Sequence, residues 1–441
     1  MRLSLDSLGR VPAAVRRPAY DVAGLKTAIV HLGVGAFHRA HQAMFTDDAI
    51  ESAGGDWGIV GVSMRRPDVA ETLQPQDGLY TVEILGAEPS YRVVGALRRA
   101  LTLPLQPEAV IDAFAAAATR IVTLTVTEKG YCLAGDSLDL NHPDISQDLS
   151  GVLPPRSAVG VLVAGLRQRS LDDGGPVTVI SCDNLADNGR RLEAAVRTFA
   201  DRTAPGLSRW LDANASFPDT TVDSIVPATD PASRGRVEAV IGVTDLASVQ
   251  REPFAQWVIE DRFAADRPAW PAGVELVANV GDHRRLKLHV LNAAHSALAY
   301  LGLRRRHTFV RQAFADPHLA RQVEAMVAEE IAPNLPGLPV AEYWRTTRQR
   351  FANPMIDHHL DQIAQDGGAK LAERIYPLMR ANLAAGRPVS ALAAVVRAWL
   401  DFVRPSCWGE QRLSDPELFP EAFRAEPRMG AAVAASKLEF S

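Results

Sequence analysis

Short apolar runs alternate with amphipathic segments over the first half of the chain. Four of these runs are rich in β-branched residues and end in polar or glycine-containing turns, which is typical of buried strands. The segments at residues 107–119 and 188–199 have the periodicity of helices. Nearly continuous apolar strands that alternate with helices predict a parallel sheet covered on both faces. The four predicted strands are residues 27–32, 58–62, 120–126 and 177–181.

The pattern changes near residue 284. Segments rich in alanine, leucine and arginine follow, for example at residues 286–300 and 319–331, and proline-containing breaks separate them. No convincing strand pattern is present in this part of the sequence. The sequence therefore predicts an α/β protein with a mostly parallel sheet domain at residues 1–283 and a mostly α-helical domain at residues 284–441.

Composition and charge narrow the class of protein. The 441 residues are 47% hydrophobic and 22% charged, as in an ordinary globular protein, and a formal net charge of −5 gives no basic surface for nucleic acid. Cys132, Cys182 and Cys407 fit no metal-binding spacing or disulfide framework, which predicts a reducing compartment. Because neither a signal-peptide pattern nor an apolar run of about 18 residues is present, we expect a cytoplasmic protein without a membrane partner. The sequence does not indicate an oligomeric state.

A glycine-containing turn follows the first predicted strand. Gly33-Val34-Gly35 begins the fingerprint of a Rossmann-like dinucleotide-binding domain, in which glycines let the backbone turn tightly and approach a pyrophosphate. His38 occupies the position of the usual third small residue, so the fingerprint is incomplete. His38 and Arg39 lie in the first turn of a helix, where cations are unfavourable unless an anion is nearby. Both glycines, Phe37, His38 and Arg39 are therefore predicted to bind a nicotinamide dinucleotide, the alternative being a purely structural turn.

The second predicted strand has no acidic residue at its tip. Asp68 could reach the ribose hydroxyls of NAD, whereas Arg65 and Arg66 could hold the 2′-phosphate of NADP. We expect NAD as the cofactor, and the two arginines leave NADP open.

The strongest chemical pattern is a lysine, an asparagine and a histidine on one predicted helix. At about 100° per residue, Asn292 lies about 140° and His295 about 80° from Lys287, so all three fall within one arc. Apolar residues surround them, which predicts that the helix is buried. Burial lowers the pKa of a lysine toward the range of a general base, so Lys287 is expected to take the proton of an alcohol. Asn292 would donate to the developing oxyanion, and His295 would orient the substrate.

Structural roles are the alternative for this trio. Lys287 would then extend to solvent, Asn292 would cap a neighbouring element and His295 would be a hydrogen-bonded core residue. For any one of the three a structural role is the more common one, but their occurrence together on one buried helix favours catalysis.

Several longer motifs resemble those of one family. From about residue 27 to residue 375 the chain is similar to the mannitol dehydrogenase family of polyol-specific long-chain dehydrogenases, which includes fructuronate reductase (D-mannonate oxidoreductase). Besides the lysine helix, the matching motifs are Gly33-x-Gly35-x-Phe37-His38-Arg39-Ala40-His41-Gln42, Leu124-Thr-Val-Thr-Glu128-Lys-Gly-Tyr-Cys132, Ser181-Cys-Asp-Asn184-Leu, Glu252-Pro-Phe-x-Gln256-Trp257-Val-Ile-Glu260-Asp261, Arg350-Phe-x-Asn353-Pro354 and Gln362-Ile-Ala-x-Asp366-Gly367-x-x-Lys370.

The resemblance implies a fold and a set of roles. It implies a Rossmann-like N-terminal domain, a helical C-terminal domain and a metal-independent oxidoreductase that uses NAD or NADP. Lys287 is implied to be the general base, and Asn184 and Asn292 are implied to bind the developing oxyanion together. His295 and Lys370 are implied to contact hydroxyl groups or a carboxylate of the substrate. No metal site is expected.

Further residues follow from the same resemblance. Glu128 lies in a matching motif and is expected at the cofactor. Asp223 matches a family aspartate near the substrate, although Ser224 stands where an arginine usually follows. His358 and Arg374 could form, with Lys370, a cationic clamp for a carboxylate.

Two departures from the family pattern affect these expectations. Arg284 stands where family members tend to have a glutamate, so the proton is expected to leave by a different route, for which His283 is a candidate. Gly368 stands where a serine is common after the Asp-Gly pair. The resemblance therefore defines the fit of the substrate less closely than it defines the catalytic chemistry.

Within the family we expect the mannitol 2-dehydrogenase type of reaction, in which mannitol and NAD⁺ give fructose and NADH. Fructuronate reductase is the alternative, because a hexuronate carries a carboxylate for which a cationic clamp is available. A non-catalytic nucleotide-sensing protein is the alternative of another class, and retention of Lys287, Asn292, His295 and Asn184 argues against it. A dehydrogenase of the 6-phosphogluconate type has a similar layout but lacks the motif at residues 37–41.

Overall fold

The computed structural model describes residues 1–403 and 427–436. The chain divides into two compact units, Met1–Val280 and a second unit that begins at Gly281. The predicted division after residue 283 lies inside the first helix of the second unit, Gly281–Leu286. Cys132 and Cys182 are free and buried. Cys407 lies outside the described residues.

The first unit contains all the strands of the described chain. In chain order they are β1 (Thr27–Leu32), β2 (Gly58–Ser63), β3 (Tyr80–Ile84), β4 (Ser90–Val94), β5 (Leu97–Thr102), β6 (Ile121–Leu124), β7 (Leu133–Ala134), β8 (Ser137–Leu138), β9 (Val177–Ser181), β10 (Ala215–Ser216), β11 (Thr220–Asp223), β12 (Val249–Arg251), β13 (Gln256–Glu260) and β14 (Val274–Val277).

A six-stranded parallel sheet is the centre of this unit. Its spatial order is β10-β9-β6-β1-β2-β5, and every neighbouring pair is parallel. The order reverses between β1 and β6, which is the switch point of a Rossmann fold. The predicted α/β class and the Rossmann-like sheet are therefore confirmed. Three smaller sheets accompany it, with the orders β11-β13-β14, β12-β3-β4 and β7-β8.

The helices of the first unit connect these strands. They are α1 (Ala36–Ala40), α2 (Gln42–Ala53), α3 (Asp68–Leu73), α4 (Pro107–Ala115), α5 (Pro143–Leu149), α6 (Ala158–Leu171), α7 (Asn188–Thr203), α8 (Leu207–Asn214) and α9 (Pro231–Ile241).

Alternate residues of the central strands pack into two different apolar cores. Val30 and Leu32 of β1 lie in one core with Phe114 of α4, whereas Ile29 lies in another core with Met44 of α2. Both faces of the sheet are therefore covered, which explains why the strands are apolar at nearly every position. Each fully buried valine or leucine side chain stabilises the fold by ~1.5–3 kcal/mol relative to exposure.

The second unit is helical. Its α-helices are α10 (Gly281–Leu286), α11 (Ala293–Arg304), α12 (Val310–Ala315), α13 (Pro317–Ala325), α14 (Val340–Phe351), α15 (Leu360–Ala364), α16 (Gly367–Arg374), α17 (Tyr376–Ala384), α18 (Ser390–Val403) and α19 (Pro427–Ala435). Within residues 281–403 and 427–436 the β structure is limited to an isolated bridge between Phe309 and His359. The predicted helical character of this unit is confirmed.

Both helices predicted at residues 286–300 and 319–331 are interrupted by a π-helical segment. The two segments are Lys287–Asn292, between α10 and α11, and Met326–Ile331, after α13. Across the described parts of the chain, no helix combines the length and the apolar character needed to cross a membrane.

Candidate active site

The turn after β1 has the geometry that a dinucleotide-binding loop requires. Gly33 has a φ of +95°, and a Cβ atom there would lie 2.1 Å from the carbonyl oxygen of Thr125. A side chain at position 33 would therefore be strained and would collide with the end of β6. A Cβ atom on Gly35 would meet only the carbonyl oxygen of Gly33, at 3.7 Å. Gly33 is thus required by the fold, whereas the space beside Gly35 is open.

A cavity of about 450 Å³ lies at this turn. Gly33 lines it from the end of β1, Arg65 from the end of β2, and Val126 and Thr127 from the end of β6. These are the carboxyl ends of strands beside the switch point, where ligands bind in open α/β sheets. The residues present therefore fit a dinucleotide in both shape and position.

The charges that line the cavity suit an anionic ligand. Lys129, Arg156 and Arg65 are cationic, and among the described residues Asp144 of α5 is the one carboxylate in the lining. An Nη2 atom of Arg65 lies 3.2 Å from Oδ2 of Asp144, with the arginine side chain 77% exposed. Asp144 was not predicted from the sequence, because it comes from a helix and not from the tip of β2, where the rule for Rossmann folds looks for an acid.

Three of the predicted cofactor residues lie at the surface or edge of this region. Asp68 is exposed at the start of α3, and its Oδ2 atom is 3.7 Å from Nε of Arg66. Neither residue lines the cavity. Glu128 is exposed and begins a short 3₁₀ turn, and the half-buried Phe37 stacks on His41 with 4.9 Å between ring centroids. Contact of Asp68, Glu128 and Phe37 with the cofactor stays a prediction.

The basic residues of the first helical turn are directed into the domain. Arg39 donates from Nε to the carbonyl oxygen of Gly35 at 3.2 Å, and from Nη1 to the carbonyl oxygen of Ala247. His38 stacks on His31, with ring centroids 3.4 Å apart. Burial, followed by the neighbouring His31 and Arg39, holds the pKa of His38 well below its usual range. The Arg39 guanidinium and the His38 ring therefore contact other groups of the protein, and their contact with the cofactor stays a prediction.

Two predicted substrate residues belong to the first unit. Asn184 is exposed in the loop after β9. Asp223 is buried at the end of β11, opposite Gln256 of β13 in an antiparallel pair. The predicted pairing of Asn184 with Asn292 links the two units and stays a prediction.

The lysine and asparagine of the second unit lie at the two ends of one π-helical segment, Lys287–Asn292. In a regular α-helix these residues would be about 140° apart. A π-helix pairs each residue with the fifth one along, so Asn292 lies about one turn above Lys287. The sequence predicts both residues within one arc of an α-helix. The π-helical segment, which brings them closer together, was not predicted. Such π turns are often found at functional sites.

Arg374 of α16 holds the end of the π turn. Its Nη1 atom donates to the carbonyl oxygen of Asn292 at 3.3 Å and to Oγ of Ser296 at 3.2 Å. The Ser296 hydroxyl also donates to the carbonyl of Asn292, at 3.1 Å. Burial lowers the pKa of Arg374 below its usual value. The guanidinium thus fixes the backbone from which the Asn292 amide projects.

His295 follows on α11 and is 7% exposed. Its ring centroid lies 4.6 Å from that of Phe351 and 5.3 Å from that of His358, which approaches edge-on. Burial is the main cause that holds the pKa of His295 well below its usual range, and the nearby His358, Arg350, Arg374 and Lys287 lower it further. His295 is therefore a neutral imidazole, which donates through one nitrogen and accepts through the other.

His358 and Lys370 adjoin this histidine. Burial, followed by the charges of His359, Arg350 and Lys370, lowers the pKa of His358 to about 4. The Lys370 ammonium donates to the carbonyl oxygen of Ile363 at 3.1 Å. The structure therefore groups six predicted residues of the second unit in one neighbourhood: Lys287, Asn292, His295, His358, Lys370 and Arg374.

The lysine helix is less buried at its start than the sequence predicted. Lys287 and Asn292 are partly exposed, and continuous burial of the helix begins only at Ala293. The lysine therefore lies at the margin of the apolar core, not inside it. Arg284 and His283, on the preceding turn, are also partly exposed. The proposed exit of a proton through His283 stays a prediction.

Arg350 of α14 was quoted only as part of a motif and was given no role. It is 7% exposed and is among the cations that lower the pKa of both His295 and His358. Beyond its place in the motif at residues 350–354, no feature of the sequence singles it out. Among the described residues, no group of three or more His, Cys, Asp or Glu side chains is arranged to hold a metal ion.

A Rossmann unit with a dinucleotide cavity and a helical unit with a lysine, asparagine and histidine group define a nicotinamide-dependent alcohol dehydrogenase. The chain belongs to the mannitol dehydrogenase family. Residues 27–272 match the mannitol dehydrogenase Rossmann domain, and residues 279–434 match the mannitol dehydrogenase C-terminal domain. The resemblance stated from the motifs is confirmed, and the protein is an NAD(P)-dependent dehydrogenase acting on CH–OH groups. The alternative of a non-catalytic nucleotide sensor is not supported.

Relatives with different substrates have similar identities to this chain. D-mannonate oxidoreductase of Escherichia coli is 39% identical over 401 residues, covering 88% of this chain and 82% of that protein. Mannitol 2-dehydrogenase of Phaeosphaeria nodorum is 37% identical over 400 residues, covering 88% of this chain and 70% of that protein. Polyol:NADP oxidoreductase of Gluconobacter oxydans is 34% identical over 414 residues, covering 91% of this chain and 85% of that protein.

A solved structure with bound ligands is also similar. Mannitol 2-dehydrogenase of Pseudomonas fluorescens, in a ternary complex with NAD and D-mannitol, superposes with a TM-score of 0.87 at 33% identity, covering 98% of this chain and 95% of that chain. The predicted class of polyol oxidoreductase is therefore confirmed, while the relatives divide between a neutral polyol and a sugar acid.

Proposed function

We propose that this protein oxidises a secondary hydroxyl group of an open-chain hexitol to the ketose, mannitol to fructose, and reduces NAD⁺. The observation that carries the proposal is the π turn, which sets Lys287 and Asn292 about one turn apart beside the neutral His295. A base, an amide donor and a neutral imidazole are the groups that dehydrogenation of an alcohol needs.

The residues of the second unit have separate parts in this reaction. The ε-amino group of Lys287 takes the hydroxyl proton as the C–H bond breaks. The side-chain amide of Asn292 donates a hydrogen bond to the oxygen as it becomes a carbonyl oxygen, and Arg374 keeps that amide in place through the backbone. His295 donates to or accepts from a neighbouring hydroxyl of the substrate, because its ring is neutral. The nicotinamide, when bound, accepts the hydride.

Removal of the base tests the proposal. Lys287→Met is expected to lower kcat for mannitol oxidation by several orders of magnitude, because the lysine takes the proton of the alcohol. The dissociation constant of NADH is expected to change by no more than about twofold, because the lysine belongs to the helical unit. Lys26→Met, at an exposed site of the first unit, is the matched control. Retention of a large fraction of kcat in Lys287→Met would contradict the assignment, and recovery of rate with added free amines would support it.

A sugar acid is the second candidate substrate, and one observation favours it. Arg350, Arg374, Lys287 and Lys370 all lower the pKa of His295 or His358. Such a collection of cations suits a carboxylate group, as D-mannonate has. Comparison of kcat/KM for fructose and fructuronate under the same conditions distinguishes the two: a ratio above about 100 in either direction decides the substrate class.

The carboxylate of Asp144 supports NAD as the cofactor. It lines the cavity beside the tip of β2 and forms an ion pair with Arg65. A 2′-phosphate would have to compete with Asp144 for that guanidinium, whereas ribose hydroxyls can donate to the carboxylate. Dissociation constants for NADH and NADPH, measured by fluorescence titration, test this choice; tighter binding of NADPH would overturn it.

A further inference from the structure

Thr127 has a backbone conformation that glycine normally adopts. Its φ is 65° and its ψ is 162°, a region that is sparsely populated by residues with a side chain. The residue lies directly after the end of β6 and lines the dinucleotide cavity together with Val126. A strained conformation persists only where surrounding contacts enforce it.

One carboxylate supplies those contacts. The backbone N–H of Val126 donates to Oδ2 of Asp183 at 2.9 Å, and the N–H of Thr127 donates to Oδ1 of the same side chain at 2.9 Å. The hydroxyl of Tyr131 donates to Oδ2 at 2.8 Å and lies 2.5 Å from Oγ of Ser181. Asp183 therefore engages two successive amides with its two oxygens, which fixes the orientation of that peptide.

The strained segment is joined to the glycine turn. The hydroxyl of Thr125 donates to the carbonyl oxygen of Gly33 at 2.8 Å. Nε2 of His31 lies 2.9 Å from the same hydroxyl and 3.1 Å from the same carbonyl. The wall at residues 125–127 and the turn at Gly33 are thus one hydrogen-bonded unit, and a change in the conformation of Thr127 would be transmitted to the turn.

The same carboxylate stands beside a predicted substrate residue. Asp183 immediately precedes Asn184, and the side chain of Asn188 donates to the backbone carbonyls of Ser181 and Asp183, at 3.3 and 3.1 Å. The loop after β9 is therefore held from within, and its position relative to the end of β6 depends on Asp183.

We propose that Asp183 is a positioning residue for the cofactor: it holds Thr127 in a strained conformation so that the segment at residues 125–127 forms the wall of the dinucleotide cavity. The inference rests on the proposed function in so far as the cavity takes a nicotinamide dinucleotide. It assigns to Asp183 a role that acts through the backbone of Thr127 and not through contact with substrate.

The experiment measures binding of NADH by fluorescence titration, thermal stability and steady-state kinetics on the full-length protein. Asp183→Asn keeps the shape of the side chain but sets an NH₂ group against one of the two amides. It is expected to raise the dissociation constant of NADH on the order of tenfold, the scale of one hydrogen bond to a charged group. KM for the dinucleotide should rise with it, and kcat at saturation should fall much less.

A second substitution separates positioning from simple support of the fold. Thr127→Gly in the Asp183→Asn background is expected to restore most of the binding, because glycine adopts the required φ without enforcement. Thr127→Ala in the same background keeps a Cβ atom and should not restore it. A lower melting temperature with unchanged binding in Asp183→Asn, or equal restoration by Thr127→Ala and Thr127→Gly, would overturn the proposal.

A milder variant covers the case in which Asp183→Asn does not fold. Tyr131→Phe leaves both amide contacts of Asp183 intact, so this variant should bind NADH within about threefold of the unmodified protein. Thr127→Pro cannot adopt a positive φ and lacks the backbone N–H that donates to Asp183, so it should bind NADH much more weakly. Failure of the unmodified protein to bind either NADH or NADPH would contradict the proposed function itself, which distinguishes that failure from a failure of the role of Asp183.

Discussion

The guanidinium of Arg374 donates to the backbone carbonyl of Asn292 across 3.3 Å, at the point where the π turn ends and α11 begins. Because the same group also reaches Ser296, a single partly buried cation joins α16 to two successive turns around the predicted oxyanion donor. The position of the Asn292 amide therefore depends on a residue that is 82 positions away in sequence.

Substitution of this arginine should affect catalysis through Asn292. Arg374→Met is expected to lower kcat about ten- to a hundredfold, since hydrogen bonds from a charged group are worth ~1.5–3 kcal/mol. Arg374→Lys, which keeps the charge but not the planar fork, should lose nearly as much. The exposed Arg380 of α17 gives the matched control, Arg380→Met. A rise confined to KM for a sugar acid, with kcat unchanged, would instead place Arg374 on a substrate carboxylate.

The two glycines of the turn should respond differently to alanine. Gly35→Ala is expected to leave the melting temperature unchanged and to raise the dissociation constant of NADH about tenfold, because its Cβ atom fits the protein but enters the open space. Gly33→Ala should lower the free energy of unfolding by at least ~2 kcal/mol, owing to the positive φ and the contact with the Thr125 carbonyl. Thermal melts and fluorescence titrations of both variants test the pair; equal NADH affinity in Gly35→Ala would mean that the turn has only a structural role.

Asp144 should control the choice between the two dinucleotides. Asp144→Asn releases Arg65 from its ion pair and removes the carboxylate from the cavity. The ratio of the dissociation constants for NADPH and NADH is expected to fall by about tenfold or more. Arg66→Ala serves as the control, since its side chain is exposed and does not line the cavity. A ratio unaffected by Asp144→Asn would place the ribose elsewhere.

Acid should destabilise the second unit through its neutral histidines. The pKa of His358 is about 4 in the folded protein, below the value of about 6.5 expected in an unfolded chain. The stability from this difference is present above about pH 6.5 and is lost as the pH falls toward 4. After allowance for partial exposure, the loss attributable to His358 is on the order of 2 kcal/mol.

Urea unfolding between neutral pH and the acid range measures this loss. His358→Gln should show a shallower decline of the free energy of unfolding than the unmodified protein. Parallel curves for His358→Gln and the unmodified protein would contradict a neutral His358.

The sheet was predictable because its strands are apolar on both faces. Residues 27–32 contribute alternate side chains to two cores, so the apolar run reports burial directly. The helical character of the second unit was predictable for a similar reason, since the pattern of apolar residues changes near residue 284. Gly33 was predicted to belong to a phosphate-binding turn because it directly follows a strand. The structure shows that this position has a positive φ, which the sequence does not reveal.

The parts that could not be predicted depend on contacts between distant residues. The amino-acid composition of a segment does not distinguish a π turn from an α-helix. The hydrogen bond from Arg374 to the end of the π turn joins residues that are distant in sequence, so the local pattern does not reveal it. The inward direction of Arg39 depends on the carbonyl of Ala247, far along the chain. Asp144 could not be predicted, because it lies on the helix Pro143–Leu149, far along the chain from the tip of β2, where Asp68, Arg65 and Arg66 were the candidates.

The π turn also sets the tolerance of this helix to insertions and deletions. An α-helix that gains one residue can absorb it as a π bulge, and the segment at residues 287–292 has the form of such an insertion. Loss of one residue from positions 288–291 would allow a continuous α-helix from α10 into α11, with the apolar core from Ala293 onward intact. Lys287 and Asn292 would then be four positions apart, which in an α-helix is about one turn, so the segments on either side of the deletion keep their relative orientation. A single-residue deletion here should therefore give a folded, stable protein in which the base and the amide donor still lie on one face of the helix.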